Sequence, residues 1–184
     1  MTEQNLYHVP ADAFFQRVFT SGERVSFSSA DPFGHLSTSR FLEFFVNHRV
    51  AAIEDQIGFA TMAMAKEQHI GLFFARSEVH YLRQAMLGEA LTVASWVSSF
   101  DESEFHISGI IFGTTKRDLK AVVHANLKAV SLQTGRAVPM PATFPATSEN
   151  AIYSLPLALD FLKDFKIPHG MLQGTAKPIT DVGK

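Results

Sequence analysis

The residues best placed to do chemistry fall in one short stretch, Asp31-Pro-Phe-Gly34-His35-Leu-Ser37-Thr38. An acid precedes a proline, a Gly-His turn follows, and two hydroxyls introduce an apolar run. Pro32 fixes φ and Gly34 permits a positive one, so the chain turns here. Ser37 or Thr38 can cap the helix that the apolar run begins, its hydroxyl accepting from an orphan amide. Asp31 then sits at the N-terminal mouth of that helix. A carboxylate there can act as a general base on water or attack an electrophile directly, and the backbone amides near Gly34 and His35 can bind a developing negative oxygen. A structural role is open to the same residues. Asp before Pro commonly closes an Asx turn, His35 can hold the turn or bond a substrate, and Ser37 and Thr38 read as caps. No base lies at a recognisable spacing to activate either hydroxyl, and there is no Gly-x-Ser-x-Gly elbow.

Other chemistries find little support. With no cysteine in 184 residues, disulfides, thiolate catalysis and cysteine-based zinc sites are excluded. The eight histidines are scattered with no His-x-x-x-His pair, so no metal site is expected. No glycine-rich phosphate loop is present. A formal net charge of -2 and a pI near 6.4 give no electrostatic case for nucleic acid or an acidic membrane surface. The N-terminus lacks the basic and apolar regions of a secretory signal, and no apolar run approaches transmembrane length, so a cytoplasmic protein is expected. The composition, 46% hydrophobic and 18% charged, is that of a globular chain able to bury a core.

The elements that must position the turn follow from periodicity. Val25 and Phe27 alternate with polar residues, which predicts a first strand over Glu23–Ser29. A helix is expected from Ser37 or Thr38 to about Ile57, before Gly58. Phe41, Phe45 and Ala52 share one face, Leu42, Arg49 and Ile53 another, and Phe44, Val46 and Val50 lie elsewhere, which predicts a helix buried on most sides. On it, Arg49 is expected to make a structural ion pair or cap carbonyls. Ala60–Lys66 reads as a helical connector. Four strands are expected over His69–Leu82, Ala90–Phe100, Glu104–Thr114 and Ala121–Leu132, with polar connections at Asp101–Glu104 and Thr115–Asp118 that favour antiparallel neighbours. In the last strand Ala121, Val123, Ala125, Leu127 and Ala129 share one face, and their small side chains let a Phe-rich helix approach closely. Glu78 and His80, two apart on one face, suit a subunit interface. Pro139 and Pro141 end the sheet, and Leu155–Phe165 reads as a short amphipathic helix.

With this order on the page, the chain resembles the hotdog-fold acyl-CoA thioesterases of the 4-hydroxybenzoyl-CoA thioesterase type. Three segments over roughly residues 22–141 carry the likeness. Asp31-Pro-Phe-Gly34-His35-Leu36, followed by Phe41-Leu-Glu-Phe-Phe45 and Arg49, is similar to the family's Asp-x-x-Gly-His-Val turn and aromatic helix start. Arg76 to Val93, with Leu82-Arg83-Gln-Ala and Leu87-Gly88-Glu89, is similar to its second strand, kink and hairpin. Leu127 to Pro141, with Thr134-Gly135-Arg136-Ala-Val-Pro139, is similar to its last strand. The chain departs from many relatives in having Ser37-Thr38 for Asn-Asn, Phe41 for Tyr, Val46 for Glu and Gln84 for Pro.

The resemblance implies an α+β hotdog fold, a five-stranded antiparallel sheet wrapped around a long central helix. It divides the chain into an N-terminal arm (1–21), the hotdog domain (22–141) and a C-terminal extension (142–184). It implies hydrolysis of an acyl-CoA or related acyl thioester, with Asp31 as base or nucleophile and the Gly34 and His35 amides as oxyanion donors. Ser37, Thr38, Phe41 and Arg83 are the implied substrate-binding positions. Lys116, Arg117 and Lys120 are further candidates for coenzyme A phosphates, though they read first as a solvated loop. No cofactor is implied beyond coenzyme A as part of the substrate. The implied assembly is a homodimer or homotetramer, with sites at the subunit boundary. Alternatives are a hotdog dehydratase or hydratase acting on acyl thioesters, and a non-catalytic acyl-thioester-binding protein.

Overall fold

The computed structural model describes residues 18–57, 61–100, 104–115 and 118–140. The element order is β1 (Phe19–Arg24), a long helix α1 (Thr38–Ile57), a short helix α2 (Thr61–Glu67), then β2 (Ile70–Tyr81), β3 (Ala90–Phe100), β4 (Glu104–Phe112) and β5 (Leu119–Ser131). The five strands form one sheet in the order β1-β3-β4-β5-β2, every neighbour antiparallel, with α1 laid on one face. This is the hotdog arrangement that the resemblance implies. The helix expected at Leu155–Phe165 and the loop residues Lys116 and Arg117 lie outside the described residues.

Alternation along β4 and β5 builds the helix-facing side. The pairs Phe105↔Leu127, Ile107↔Ala125, Gly109↔Val123 and Ile111↔Ala121 lie side by side. All but Gly109 join the core cluster with Phe41, Phe44 and Phe45 of the helix. Phe45 has no solvent exposure at all, and burying a phenylalanine is worth roughly 1.5–3 kcal/mol. Gly109 is what lets it in. A Cβ there would sit 2.5 Å from the Phe45 ring and 2.8 Å from the Ala94 carbonyl. On the opposite face the same alternation brings polar side chains into register. Ser108 Oγ lies 2.7 Å from His124 Nδ1, and His106 Nδ1 lies 3.1 Å from Asn126 Oδ1.

Two expectations about these elements need correction. The first strand is Phe19–Arg24, paired with Ala90–Ser95 of β3, not Glu23–Ser29. Residues Phe27–Ser29 form a single 3-10 turn, in which Ser29 Oγ accepts from the Ser26 amide and donates to the Ser26 carbonyl, both at 2.9 Å, and Phe27 points outward at 87% exposure. Serine side chains that bond their own backbone favour such turns over a strand ladder. Helix α1 is also not buried on most sides. Phe41, Phe44, Phe45, His48, Arg49, Ala52 and Ile53 are buried, while Glu43, Asn47, Val50, Ala51 and Glu54 are exposed. One sheet covers one side of a helix, and the buried stripe follows the i, i+3, i+4 spacing. No helix among the described residues is long and apolar enough to cross a membrane.

Candidate active site

The turn that leads into α1 is fixed almost entirely by backbone. The Asp31 amide donates to the His35 carbonyl at 2.7 Å, and the Gly34 amide donates to the Asp31 carbonyl at 3.0 Å. Gly34 takes φ +78°, the left-handed conformation that lets the turn close. Asp31 Oδ1 accepts from the Phe33 and His35 amides, both at 2.9 Å. The turn is then pinned from two sides. Leu36 donates to the Ala85 carbonyl, Leu87 to the Gly34 carbonyl, and Ser37 to the Ser29 carbonyl, at 2.8, 2.9 and 2.9 Å. The segment 84–87 between β2 and β3 therefore serves as a brace for the turn.

One carboxylate oxygen remains. Asp31 Oδ2 stands 4.0 Å from His35 Nδ1, beyond hydrogen-bond range. Asp31 is only partly exposed and opens on a cleft of about 290 Å³ walled by His35, Leu36, Thr38, Phe41 and the end of β2. Tyr81 there donates its hydroxyl to the Thr38 carbonyl at 3.1 Å, and its ring meets Phe41 edge-on at 5.4 Å. Burial raises the Tyr81 phenol above its ordinary pKa, so it stays a protonated donor at neutral pH. Leu82, Arg83 and Gln84 complete the wall.

Of the positions singled out from sequence, Asp31, His35, Thr38, Phe41 and Arg83 line this one cleft. Gly34 and Ser37 are not among its lining residues; Gly34 shapes the turn, and the Ser37 carbonyl accepts from the Arg40 amide at 2.9 Å. The Gly34 and His35 amides are occupied inside the turn, by the carbonyl and the carboxylate of Asp31 respectively. The amides with no acceptor among the described residues are those of Thr38 and Ser39 in the first turn of α1. Arg83 is about half exposed, with its guanidinium 3.6 Å from Asp118. Lys120 is not a solvated phosphate holder. It is buried, with its ammonium 2.7 Å from Glu89, 3.0 Å from Asp118 and 3.0 Å from the Gln84 carbonyl. It therefore braces the wall rather than facing the cleft. Glu78 and His80 lie on the exposed outer face of β2, 3.9 Å apart. Tyr81 was missed, although strand parity signals it: it is one residue on from His80, so it faces the helix.

Deeper along α1 a second polar group is enclosed. His48 Nδ1 meets Ser21 Oγ at 2.7 Å and its Nε2 meets Ser95 Oγ at 2.8 Å, and the same Ser95 hydroxyl receives Arg49 Nη1 at 3.2 Å. Burial, with the Arg49 charge beside it, pulls His48 down to about 4, so the ring is neutral. The ion pair expected for Arg49 does not form. Among the described residues no carboxylate reaches it, and its partner is a serine hydroxyl.

A family model described as the thioesterase-like superfamily matches residues 25–149, a span that includes the turn, α1 and the end of β2. No curated protein matches the chain by sequence. Several solved structures share its fold. A Staphylococcus aureus protein characterised in complex with CoA aligns over 73% of this chain and 83% of its own, with TM-score 0.66 and 16% identity. A 1,4-dihydroxy-2-naphthoyl-CoA thioesterase from Synechocystis aligns over 71% and 94%, with TM-score 0.64 and 15% identity. A probable thioesterase from Escherichia coli aligns over 73% and 99%, with TM-score 0.63 and 18% identity.

Proposed function

The chain belongs to the thioesterase-like superfamily, and we propose from that premise that it hydrolyses an acyl-CoA or related acyl thioester in the Asp31 cleft. The supporting observation is the division of labour within one carboxylate. Oδ1 is held by two amides, so the side chain is oriented, and Oδ2 is left without a hydrogen bond on a residue that lines the cleft. Oδ2 would take a proton from a water that attacks the thioester carbonyl, or attack that carbon itself to give an anhydride that water then opens. Both routes pass through a tetrahedral oxyanion. In the first its collapse expels the thiolate, which takes back the proton held on Asp31, and leaves the carboxylic acid. In the second its collapse expels the thiolate as the anhydride forms, and water then opens the anhydride to the carboxylic acid and free Asp31, with the water's proton passing to the thiolate.

For the oxyanion we assign the unpaired first-turn amides of Thr38 and Ser39, in place of Gly34 and His35, whose amides would first have to leave Asp31. Removing one such donor typically costs on the order of 3 kcal/mol of barrier. Phe41, Leu36 and Leu82 would contact the acyl group. Arg83 at the rim, where its charge reaches water, suits a coenzyme A phosphate. The twelve-residue edge strand β2, exposed over Ala75–Glu78, supports pairing into a homodimer or homotetramer. The division into an arm, a hotdog domain and an extension (142–184) is part of the same proposal, with the boundary expected at 21/22 moved to before Phe19, where β1 joins the sheet.

The test is release of free coenzyme A from a panel of acyl-CoAs varying in chain length and aromatic character, with Asp31→Asn as control. Turnover by the wild type that falls by about 10²–10⁴-fold in the variant is expected. Turnover that survives the substitution would overturn the assignment of Asp31. Binding of the panel without any turnover would favour a non-catalytic binder, and hydration of an enoyl-CoA without CoA release would favour a hydratase.

A further inference from the structure

Midway along α1 the protein buries a cation with nothing to balance it. Arg49 is 1% exposed, and while Nη1 reaches Ser95, its Nε and Nη2 are buried and meet no acceptor. Burial lowers the guanidinium to about 10, which leaves it charged at neutral pH. Ser95 cannot supply the missing charge, since its hydroxyl is shared with a neutral His48. Buried charges in folded proteins are ordinarily paired with an opposite charge or fully hydrogen-bonded.

The unspent donors are the two that matter. Nε–H and Nη2–H form the side-on fork of a guanidinium, whose two parallel N–H groups match the two oxygens of a carboxylate. Arg49 also lines a cavity of about 120 Å³ between α1, α2 and the sheet. Its inner walls are Ile53, Leu72, Phe74 and Leu127, and half-exposed Val50 with Thr61 leads to the surface. An enclosed apolar cavity of about 150 Å³ takes benzene whole; this one is smaller but opens to the surface beside Val50, so a ring can sit partly within it. The cavity shares no lining residue with the Asp31 cleft, and Arg49 stands about 16 Å beyond Thr38 along the helix axis at 1.5 Å per residue.

We propose that this cavity is a second binding site, for a carboxylate carried on an apolar body about the size of a benzene ring, clasped by the Arg49 fork. Two sources offer that chemistry: a free small organic acid, or the far end of an acyl group whose thioester lies in the Asp31 cleft.

The test is calorimetric titration of the full chain with benzoate, its uncharged isostere benzamide, and inorganic phosphate at matched ionic strength. Benzoate is expected to bind at least tenfold tighter than either. Arg49→Met should erase that preference and melt no lower than the unliganded wild type, because it removes an unbalanced buried charge. Arg49→Lys, which keeps the charge and loses the fork, should bind benzoate more weakly and covers the case in which the methionine variant fails to fold. Equal binding of benzoate and benzamide, phosphate binding as well as benzoate, or full benzoate affinity in Arg49→Lys would each overturn the site. So would an Arg49→Met protein that loses its oligomeric state, since the fork would then be answering a carboxylate of a second copy. These titrations do not depend on thioester hydrolysis. A separate arm, which rests on the thioesterase reading, distinguishes the sources. If wild type hydrolyses an acyl-CoA ending in a carboxylate faster than its methyl ester and Arg49→Met does not, the ligand is the acyl end. If neither protein discriminates while benzoate binds, it is a free acid.

Discussion

At the mouth of α1, Asp31 is a polar group held by main chain: two amides on one oxygen, with the turn pinned by carbonyls of Ser29 and Ala85. Eleven residues along the same helix, His48 and Arg49 are held by side chains, through hydroxyls of Ser21 on β1 and Ser95 on β3. The first arrangement is local and spends few side chains, so it leaves a carboxylate oxygen free at a cleft. The second ties the helix to two strands that are distant in sequence, and it leaves guanidinium donors free inside the protein. Backbone satisfaction therefore frees a group for chemistry at the mouth, whereas side-chain satisfaction fixes where the helix lies on the sheet. Substitutions at the mouth should accordingly change turnover more than stability, and substitutions in the buried group should do the reverse.

The largest separation is expected from Asp31→Asn. Asparagine keeps the oxygen that accepts the Phe33 and His35 amides, so the turn survives, while the base is lost. CoA release should fall by about 10²–10⁴-fold with the melting temperature almost unchanged. A drop of many degrees instead would mean that the carboxylate charge holds the fold, and the contrast between the two regions would fail.

Acid should act on the other region. The His48 pKa is near 4 when folded, against 6.5 as its ordinary value. Between those values the unfolded chain binds more protons, so stability rises with pH. The stability that His48 contributes is whole above pH 6.5 and is lost as pH falls toward 4. The span corresponds to about 3 kcal/mol at most. Half-buried His124, whose pKa is likewise lowered by desolvation, adds in the same direction. Urea melts from pH 7 to 4.5 should show this slope, and His48→Gln should flatten it. An equal slope in the variant would remove His48 as its cause.

Gly34→Ala probes how far the mouth is set by backbone alone. A Cβ at this position meets nothing within 4 Å, so strain at φ +78° is the only penalty, about 1–2 kcal/mol. Chemical denaturation should register that loss, and turnover should fall as well because the Asp31 amides shift. Unaltered turnover at reduced stability would show that the turn tolerates displacement without cost to the site. The smallest effect is expected from Tyr81→Phe, which deletes one partly exposed hydrogen bond to Thr38, about 1 kcal/mol. Its KM should rise while kcat stays near the wild-type value, because Tyr81 walls the cleft without touching Asp31. A kcat loss rivalling that of Asp31→Asn would promote the phenol to the reacting centre.

Much of this was legible in the chain because it is local or periodic. The Asp31-Pro-Phe-Gly34 turn needs only the stiffness of proline, the freedom of glycine and an acid short enough to bond its own backbone. The alternation of β5 gave its helix-facing side, and β3 falls on Ala90–Phe100 as its composition suggests. The first strand was misplaced because Val25 and Phe27 alternate like a strand, while serine side chains bond the intervening backbone into a turn. His48 and Arg49 were invisible as a pair because their partners, Ser21 and Ser95, are ordinary strand serines until the sheet brings them under the helix. The Gly34 and His35 amides were read as free because a sequence shows where donors are and not whether a nearby carbonyl or carboxylate, here those of Asp31, has already taken them.

The sequence by itself determined the family, the strand–turn–helix order and the one acid poised at a helix mouth, since each follows from residue type and spacing within a few positions. Only the tertiary structure decided which oxygen of Asp31 is free, which wall β2 lends to the cleft through Tyr81, and that Lys120 is a buried brace. It also decided that Arg49 is enclosed without a counter-charge. Those outcomes depend on distances between segments far apart in the chain, and hydrogen-bond partners and burial are set there, by which groups the sheet and helix exclude from water together.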